Sequence, residues 1–179
     1  MNECGQRLWV VGLSFVVSAC SLFGTEPDDV AKTCDPAGFV RSAASLPLPS
    51  AAATRPKPRK GVPLKVASSF PIGGGLNDIG AWVQTKPGWS SWRLRLVSEN
   101  AQSMALHLKP FQLPADAELW LCTPSGEKQG PFTAKGPTGT AELWSPALNG
   151  PELWLELQAP DASKNQARLI VNEVFAAFR

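Results

Sequence analysis

The stretch that decides the fold is Phe111 to Thr123, which reads FQLPADAELWLCT. Its first half is apolar up to Pro114, a small polar turn follows at residues 115–116, and residues 118–121 alternate polar and apolar side chains. A strand, a tight turn and a second strand in succession are typical of an antiparallel sheet. Taken alone, the stretch predicts a β-hairpin, and it contains Cys122, one of the four cysteines.

Alternation between apolar and polar residues continues on both sides of this stretch. Residues 92–97 (WRLRLV), 104–109 (MALHLK) and 152–157 (ELWLEL) each present one face to a core and one to solvent. A last apolar strand is expected at residues 167–178. About eight or nine short strands separated by turn signals predict an all-β fold, an antiparallel β-sandwich that resembles a jelly roll. No stretch sustains the period of a helix.

Composition divides the chain into a signal peptide at residues 1–19, a linker at residues 20–63 and a β-sandwich domain at residues 64–179. The linker is rich in proline and small residues, and it contains a basic run at residues 55–60 (RPKPRK). Because such a sequence has no apolar face to bury, we interpret it as a semi-extended tether. The basic run is interpreted as a solvated segment, with contact to anionic lipid or proteolytic cleavage as the alternatives.

The amino-terminal segment has the features of a bacterial export signal. An apolar run of ten residues, Leu8 to Val17, is too short to span a bilayer but suits a signal peptide. Residues 17–20 (VSAC) resemble a lipoprotein cleavage motif, so Cys20 is the predicted lipidation site and would carry a membrane anchor. Ser21 favours the outer membrane in that pattern. An ordinary secretory signal is the alternative, because the small residues before Cys20 also satisfy its cleavage rule.

Composition also limits the chemistry that the chain can perform. A formal net charge of +2 is too small to indicate a nucleic-acid partner. The single histidine, His107, is interpreted as a solvent-facing or edge residue, because no serine on a constrained turn accompanies it. With one histidine and no C-x-x-C pair, no metal site, cofactor or catalytic residue is expected. The triple glycine at Ile72 to Leu76 lacks phosphate-binding spacing and is interpreted as a flexible loop.

Two cysteines remain once Cys4 leaves with the signal peptide and Cys20 carries lipid. Cys34 and Cys122 then form an even pair in an oxidising compartment. A disulfide between them would close a loop of nearly ninety residues, which is worth about 4–5 kcal/mol in the chain-entropy model. Two unpaired thiols are the alternative.

The tripeptide Glu-Leu-Trp occurs three times. In a strand, each tryptophan shares a face with its glutamate, opposite the leucine. If those faces are exposed, they form a candidate surface for binding sugars or partner proteins. The alternative is that loops or the linker cover the indoles. The candidate residues are Trp120, Trp144, Trp154, Glu118, Glu142 and Glu152.

Several short motifs follow one another in a recognisable order. They are residues 92–96 (WRLRL), 98–103 (SENAQS), 111–114 (FQLP), 117–119 (AEL), 130–133 (GPFT), 144–146 (WSP) and 150–157 (GPELWLEL). In this order they resemble the amino-terminal β-sandwich pro-domain of secreted bacterial lysyl endopeptidases and related trypsin-like serine proteases, over roughly residues 79–178. The resemblance implies a sandwich exported ahead of a catalytic domain and associated with its folding or with partner contacts. It also implies that Phe111 to Thr123 is the hinge of the sandwich.

The resemblance carries over no catalytic residue, because the family's catalytic segments have no counterpart in the sequence. We therefore expect a non-catalytic, lipid-anchored protein of the bacterial cell envelope that serves as a protein-binding or protease-accessory module. Its expected partners are the membrane and a separately encoded protease or other envelope protein. A carbohydrate- or envelope-polymer-binding module that uses exposed tryptophans is the alternative function. Outer-membrane anchoring, on the periplasmic or the surface side, is the expected location, with secretion as the alternative.

Overall fold

The computed structural model describes residues 33–51, 60–61 and 63–178. The expected signal peptide at residues 1–19, the lipidation site Cys20 and most of the basic run lie outside these ranges. Across the part of the chain that is described, no helix is both long and apolar enough to cross a membrane.

The described chain forms short strands in close succession, with one α-helix before them. In chain order the elements are α1 (Pro36–Ser42), β1 (Ala44–Leu48), β2 (Ala67–Gly75), β3 (Ala81–Lys86), β4 (Trp89–Ser98), β5 (Ser103–Gln112), β6 (Glu118–Cys122), β7 (Lys128–Phe132), β8 (Leu143–Trp144), β9 (Leu148–Asn149), β10 (Glu152–Pro160) and β11 (Arg168–Ala177). A 3-10 turn at Lys164–Gln166 precedes the last strand.

The strands form two sheets. The first sheet has the order β1-β4-β10-β6-β7, with β3 also paired to β4, and the second has the order β2-β11-β5-β8, with β9 also paired to β5. All neighbours are antiparallel except β1 and β4, which run parallel. The predicted all-β, antiparallel sandwich is therefore confirmed.

The core lies between the sheets and is built from the alternating rows that the sequence displays. In β4, Trp92, Leu94 and Leu96 are fully buried, and the leucines of β10 face them from the neighbouring strand. Burying each such side chain contributes about 1.5–3 kcal/mol. The Trp92 indole N–H donates to the carbonyl oxygens of Leu76 and Ile79, at 2.9 and 3.0 Å, so its polar group is satisfied.

The stretch from Phe111 to Thr123 does not form a hairpin. Strand β5 ends at Gln112 in the second sheet, and β6 begins at Glu118 in the first sheet, so residues 113–117 cross between the layers. The crossing buries apolar side chains on both of its arms, because each arm faces the same core from an opposite sheet. The hairpin prediction was wrong, and the interpretation as the hinge of a sandwich describes the observed connection.

The triple glycine also differs from its prediction. Residues Ile72 to Gly75 are the end of β2 and not a loop, and they pair with β11. A Cβ atom on Gly74 would lie 2.9 Å from the side chain of Ile79. The glycine therefore lets that side chain pack directly against the strand, which is a common reason for glycine in a sheet.

Residues 33–51, which composition places in the linker, fold onto the first sheet and are called the strap here. Helix α1 begins at Asp35, whose carboxylate accepts the Gly38 N–H at 2.8 Å, and Pro36 occupies its first turn. Strand β1 then pairs with the carboxyl-terminal half of β4, from Ala44 opposite Leu94 to Leu48 opposite Ser98. A helix of seven residues is too short to show a period in the sequence, which is why the strap was not predicted.

A disulfide joins the strap to the sandwich. Of the two alternatives for Cys34 and Cys122, the structure has the bonded one, with the Cα atoms 6.3 Å apart. Both cysteines are buried in a small cluster on the outer face of the first sheet, separate from the main core. The bond fixes the beginning of the strap to the end of β6.

A buried ion pair holds the strap as well. Arg93 donates from Nε and Nη2 to Glu156 Oε1, at 3.0 and 2.8 Å, and from Nη1 to the Ser42 hydroxyl at 2.6 Å. The other Glu156 oxygen accepts the Cys34 backbone N–H at 2.5 Å. Since the Glu156 side chain is only 1% exposed, both of its oxygens need these donors. All the hydrogen bonds of this ion pair therefore form only when the strap is packed against the first sheet.

Loss of the disulfide should destabilise the fold. In the double variant Cys34→Ala/Cys122→Ala we expect the free energy of unfolding to fall by up to about 4–5 kcal/mol, because the bond restricts the unfolded chain over a separation of 88 residues. Denaturant titration followed by tryptophan fluorescence measures the change. Dithiothreitol should lower the midpoint of the wild type and leave that of the double variant unchanged. Equal midpoints for the two proteins without reductant would contradict the prediction.

Candidate functional site

The three Glu-Leu-Trp tripeptides share one local geometry. In each, the indole N–H donates to the glutamate two residues earlier, at 3.3 Å for Trp120, 3.2 Å for Trp144 and 3.2 Å for Trp154. The bond follows from the strand period of two, which places both side chains on one face. The expected pairing of each tryptophan with its glutamate is present in the structure.

The three tripeptides do not form one binding face, which corrects the expected surface. Trp120 and Trp154 lie on neighbouring strands of the first sheet, whereas Trp144 lies in the second sheet. Trp120 is 9% exposed and Trp154 is 2% exposed. Phe39 of α1 stacks on Trp154 with ring centroids 4.8 Å apart and planes 11° apart. The strap therefore covers two of the three indoles, as the alternative interpretation of a covering linker proposed.

Glu152 of the covered pair has its own charged partner. Arg95 donates to its two carboxylate oxygens at 2.8 and 2.5 Å, across the β4–β10 pairing. The hydrogen bonds from Arg95 hold the pKa of the Glu152 carboxyl below its ordinary value, and the bond from Trp154 adds to the effect. The hydrogen bonds with Glu152 in turn raise the pKa of Arg95. Glu152 therefore serves as an acceptor that positions Trp154 and does not stand free on the surface.

Among the tryptophans of the three tripeptides, Trp144 is the one that is exposed to solvent. It is 59% exposed, the largest exposure among the big apolar side chains of the described chain. Its indole lies over β5, stacked on His107 with centroids 4.0 Å apart and planes 9° apart, and it meets Phe175 of β11 at 5.8 Å. The three rings thus extend across neighbouring strands of the second sheet, and we call them the aromatic ladder.

His107 is not the solvent-facing residue that its position in the sequence suggested. Trp144 covers its ring, and its Nε2 lies 2.7 Å from Glu142 Oε1. Lys109 Nζ lies 3.3 Å from the other Glu142 oxygen. The hydrogen bond with His107 and then that with Lys109 hold the pKa of the Glu142 carboxyl below its ordinary value. Sequence reasoning missed this arrangement because the β5–β8 pairing joins residues that are 35 positions or more apart.

A cleft of about 490 Å³, lined mainly by residues with polar side chains, opens beside the strap, between α1 and β3. Its volume is within the range of small-molecule sites. Ser91 lines it, and the buried Ser91 hydroxyl has no hydrogen-bond partner in the described chain. His107 lies in the other sheet, so it is not placed to activate Ser91 as a nucleophile. Arg93 and Glu156, which also line the cleft, already pair with each other.

The described residues contain no cluster of three or more acidic, histidine or cysteine side chains arranged to hold a metal ion. The carboxylates described above are instead bonded to indoles, to arginines or to the single histidine. These carboxylates hold the neighbouring side chains in position by accepting their hydrogen bonds.

Comparison with known protein families identifies the sandwich. The model of the lysyl endopeptidase N-terminal domain family matches residues 43–174, which is well over half of the chain. The chain belongs to this family. The resemblance in motif order is thereby confirmed, and the match includes β1 and all ten later strands apart from the last residues of β11. No curated protein matches the chain.

The family match also bears on the extent of the domain and on its role. The match begins at Ala43, so the family domain includes the strand of the strap and starts before Leu64. The family is the amino-terminal domain of lysyl endopeptidases, which are secreted, and not their catalytic domain. The chain is therefore a pro-domain-like, protease-associated β-sandwich.

Acid should remove the contribution of the Arg95–Glu152 pair to stability. A carboxyl group whose pKa is lowered on folding stabilises the fold above its unfolded pKa, and this contribution disappears as the pH falls through the folded pKa. We expect Arg95→Gln to lower the free energy of unfolding near neutral pH by about 0.2–1 kcal/mol. The difference from wild type should shrink below about pH 4.5, the ordinary pKa of glutamate.

Urea titrations of both proteins between pH 3 and pH 7 measure this difference. The control is Glu152→Gln, in which adding Arg95→Gln should produce no further pH-dependent difference. A gap between wild type and Arg95→Gln that is the same at pH 3 and pH 7 would show that the pair does not act in this way.

Proposed function

We propose that this protein is a non-catalytic binding module that acts on a protease, and that it is held at the bacterial cell envelope by lipid on Cys20. The observation that carries the proposal is the family match over residues 43–174, which covers the sandwich described above. A domain of this family stands beside a catalytic domain in lysyl endopeptidases. The sandwich of this chain is therefore suited to bind such a domain.

The geometry supports binding in preference to chemistry. The sandwich is stapled by Cys34–Cys122, and its buried carboxylate Glu156 is fully bonded. A preorganised domain of this kind loses little conformational freedom when it binds a partner. A partner that binds only the native protease also stabilises it, by an amount that increases with the concentration and affinity of the binder. Assistance to folding and stable association are therefore two results of the same contact.

The carbohydrate alternative has less support. It relied on exposure of Trp120, Trp144 or Trp154, and the strap covers the first and the last of these. Trp144 keeps an exposed face beside Glu142, and these two residues are what remains of the expected sugar-binding surface. A single exposed indole serves a protein contact equally well, since tryptophan is enriched at the centres of protein interfaces.

Association with a protease is the first test of the proposal. A lysyl endopeptidase catalytic domain, prepared without its own amino-terminal domain, is mixed with the mature chain and analysed by gel filtration. We expect the two proteins to elute together and the yield of active protease on refolding to rise. The control is the same protease with its own amino-terminal domain attached. That domain should compete for the binding surface, so this protease should bind less of the chain. Separate elution together with an unchanged refolding yield would contradict the proposed function.

Lipid attachment is tested at Cys20. Wild-type protein should be recovered with the membrane fraction and should incorporate labelled fatty acid. The variant Cys20→Ala should lose the label and move to the soluble fraction, because the small residues before position 20 still allow ordinary signal cleavage. Cys4→Ala is the matched control and should stay in the membrane fraction. Unlabelled wild-type protein in the soluble fraction would favour the secretory alternative.

A further inference from the structure

The two outer surfaces of the sandwich differ in what covers them. The part of the strap that contains the disulfide and α1, whose Phe39 stacks on Trp154, lies over the outer face of the first sheet. On the outer face of the second sheet, the outward side chains of β2 at Ser69 and Pro71 are exposed, and Trp144 is 59% exposed. The second sheet therefore presents its outward side chains, including a large indole, to solution.

Trp144 is held in a fixed position although it is exposed. His107 supports one face of the indole at 4.0 Å, and Glu142 accepts its N–H at 3.2 Å. The hydroxyl of Ser145, the next residue, accepts the Leu106 N–H at 2.9 Å, and the Ser145 N–H donates to the Leu106 carbonyl oxygen at 2.9 Å. These two bonds fix β8 against β5. A rigid, exposed indole loses little entropy when a partner covers it, and such residues often dominate the energy of an interface.

The course of β11 indicates which partner fits this surface. It lies in the interior of the second sheet, between β2 and β5, and carries Phe175 of the aromatic ladder. The last described residue, Phe178, is bonded to Val66 at the same sheet. Three residues of extended chain from Phe175 span about 10 Å. The family match ends at residue 174, immediately before Phe175, and the family is the amino-terminal domain of lysyl endopeptidases. A chain that continues toward a catalytic domain from this end of β11 therefore starts beside the aromatic ladder.

We propose that the outer face of the second sheet, centred on Trp144 and its supporting rings His107 and Phe175, is the surface that binds the catalytic domain of a lysyl endopeptidase. This inference rests on the proposed function and adds the place of contact to it. The partner covers the exposed indole and lies against the outward side chains of β2 and β11. The first sheet, whose outer face the strap occupies, stays outside the contact.

The test compares two pairs of variants in the full-length mature chain, with the isolated catalytic domain as the probe in surface plasmon resonance. Trp144→Ala removes the exposed indole, and Val40→Ala removes an exposed apolar side chain from α1 on the opposite side, where Val40 is 49% exposed. We expect Trp144→Ala to raise the dissociation constant at least tenfold and Val40→Ala to change it less than twofold.

The second pair adds bulk without disturbing the aromatic ladder. Ser69 is exposed on β2 directly opposite Phe175, so Ser69→Arg should obstruct docking and raise the dissociation constant at least tenfold. Val40→Arg is its matched control and should leave binding unchanged. Thermal unfolding of each variant establishes that it is folded. If Trp144→Ala is not, the Ser69→Arg result decides the question.

The outcomes separate this inference from the proposed function. If wild type does not bind the catalytic domain, the proposed function fails. If wild type binds and neither Trp144→Ala nor Ser69→Arg weakens the complex, the proposed function stands and the docking surface is wrong. Trp144-dependent binding to peptidoglycan, or a Trp144-dependent dimer in gel filtration, without binding to the protease, would assign the surface to another occupant and overturn the inference.

Discussion

The Glu156 carboxylate lies in the middle of β10, almost fully removed from water, on the face of the first sheet that points away from the core. An isolated charge in that position is strongly unfavourable, so it requires both the guanidinium of Arg93 and the backbone N–H of Cys34. One of these donors belongs to the sheet and the other to the strap. The buried charge is therefore satisfied only when the strap is packed against the sheet. The Cys34–Cys122 disulfide holds the strap in this position.

The fold could be predicted where it depends on local alternation. The leucines of β10 and the row from Trp92 to Leu96 are buried as their period requires. Alternation does not say which sheet the next strand joins, and this is why Phe111 to Thr123 was expected to be a hairpin and is a crossing. The strap was missed for another reason, since its seven-residue helix is too short to show a period and is stabilised by contacts with distant strands.

The candidate site was predictable to the same degree. The strand period correctly paired each tryptophan with the glutamate two residues earlier. It could not tell that Phe39 would cover Trp154, or that Trp144 would lie on His107, because both contacts join residues brought together only by sheet pairing. The order of short motifs carried more information than any single one of them, and the family it indicated is the family to which the chain belongs.

The position of the first described residue explains how the proposed anchor and the proposed docking surface are compatible. Thr33, the first described residue, lies on the first sheet, where its carbonyl oxygen accepts from Lys128 at 2.6 Å and its hydroxyl accepts from Gln158 at 3.0 Å. The proposed lipid anchor precedes Thr33 in the sequence, so the chain from it would join the sandwich on that side. The aromatic ladder lies on the outer face of the opposite sheet. The two sheets pack about 10 Å apart, and their outer faces point in opposite directions. The proposed attachment on the side of the first sheet would therefore leave the outer face of the second sheet free for a protease.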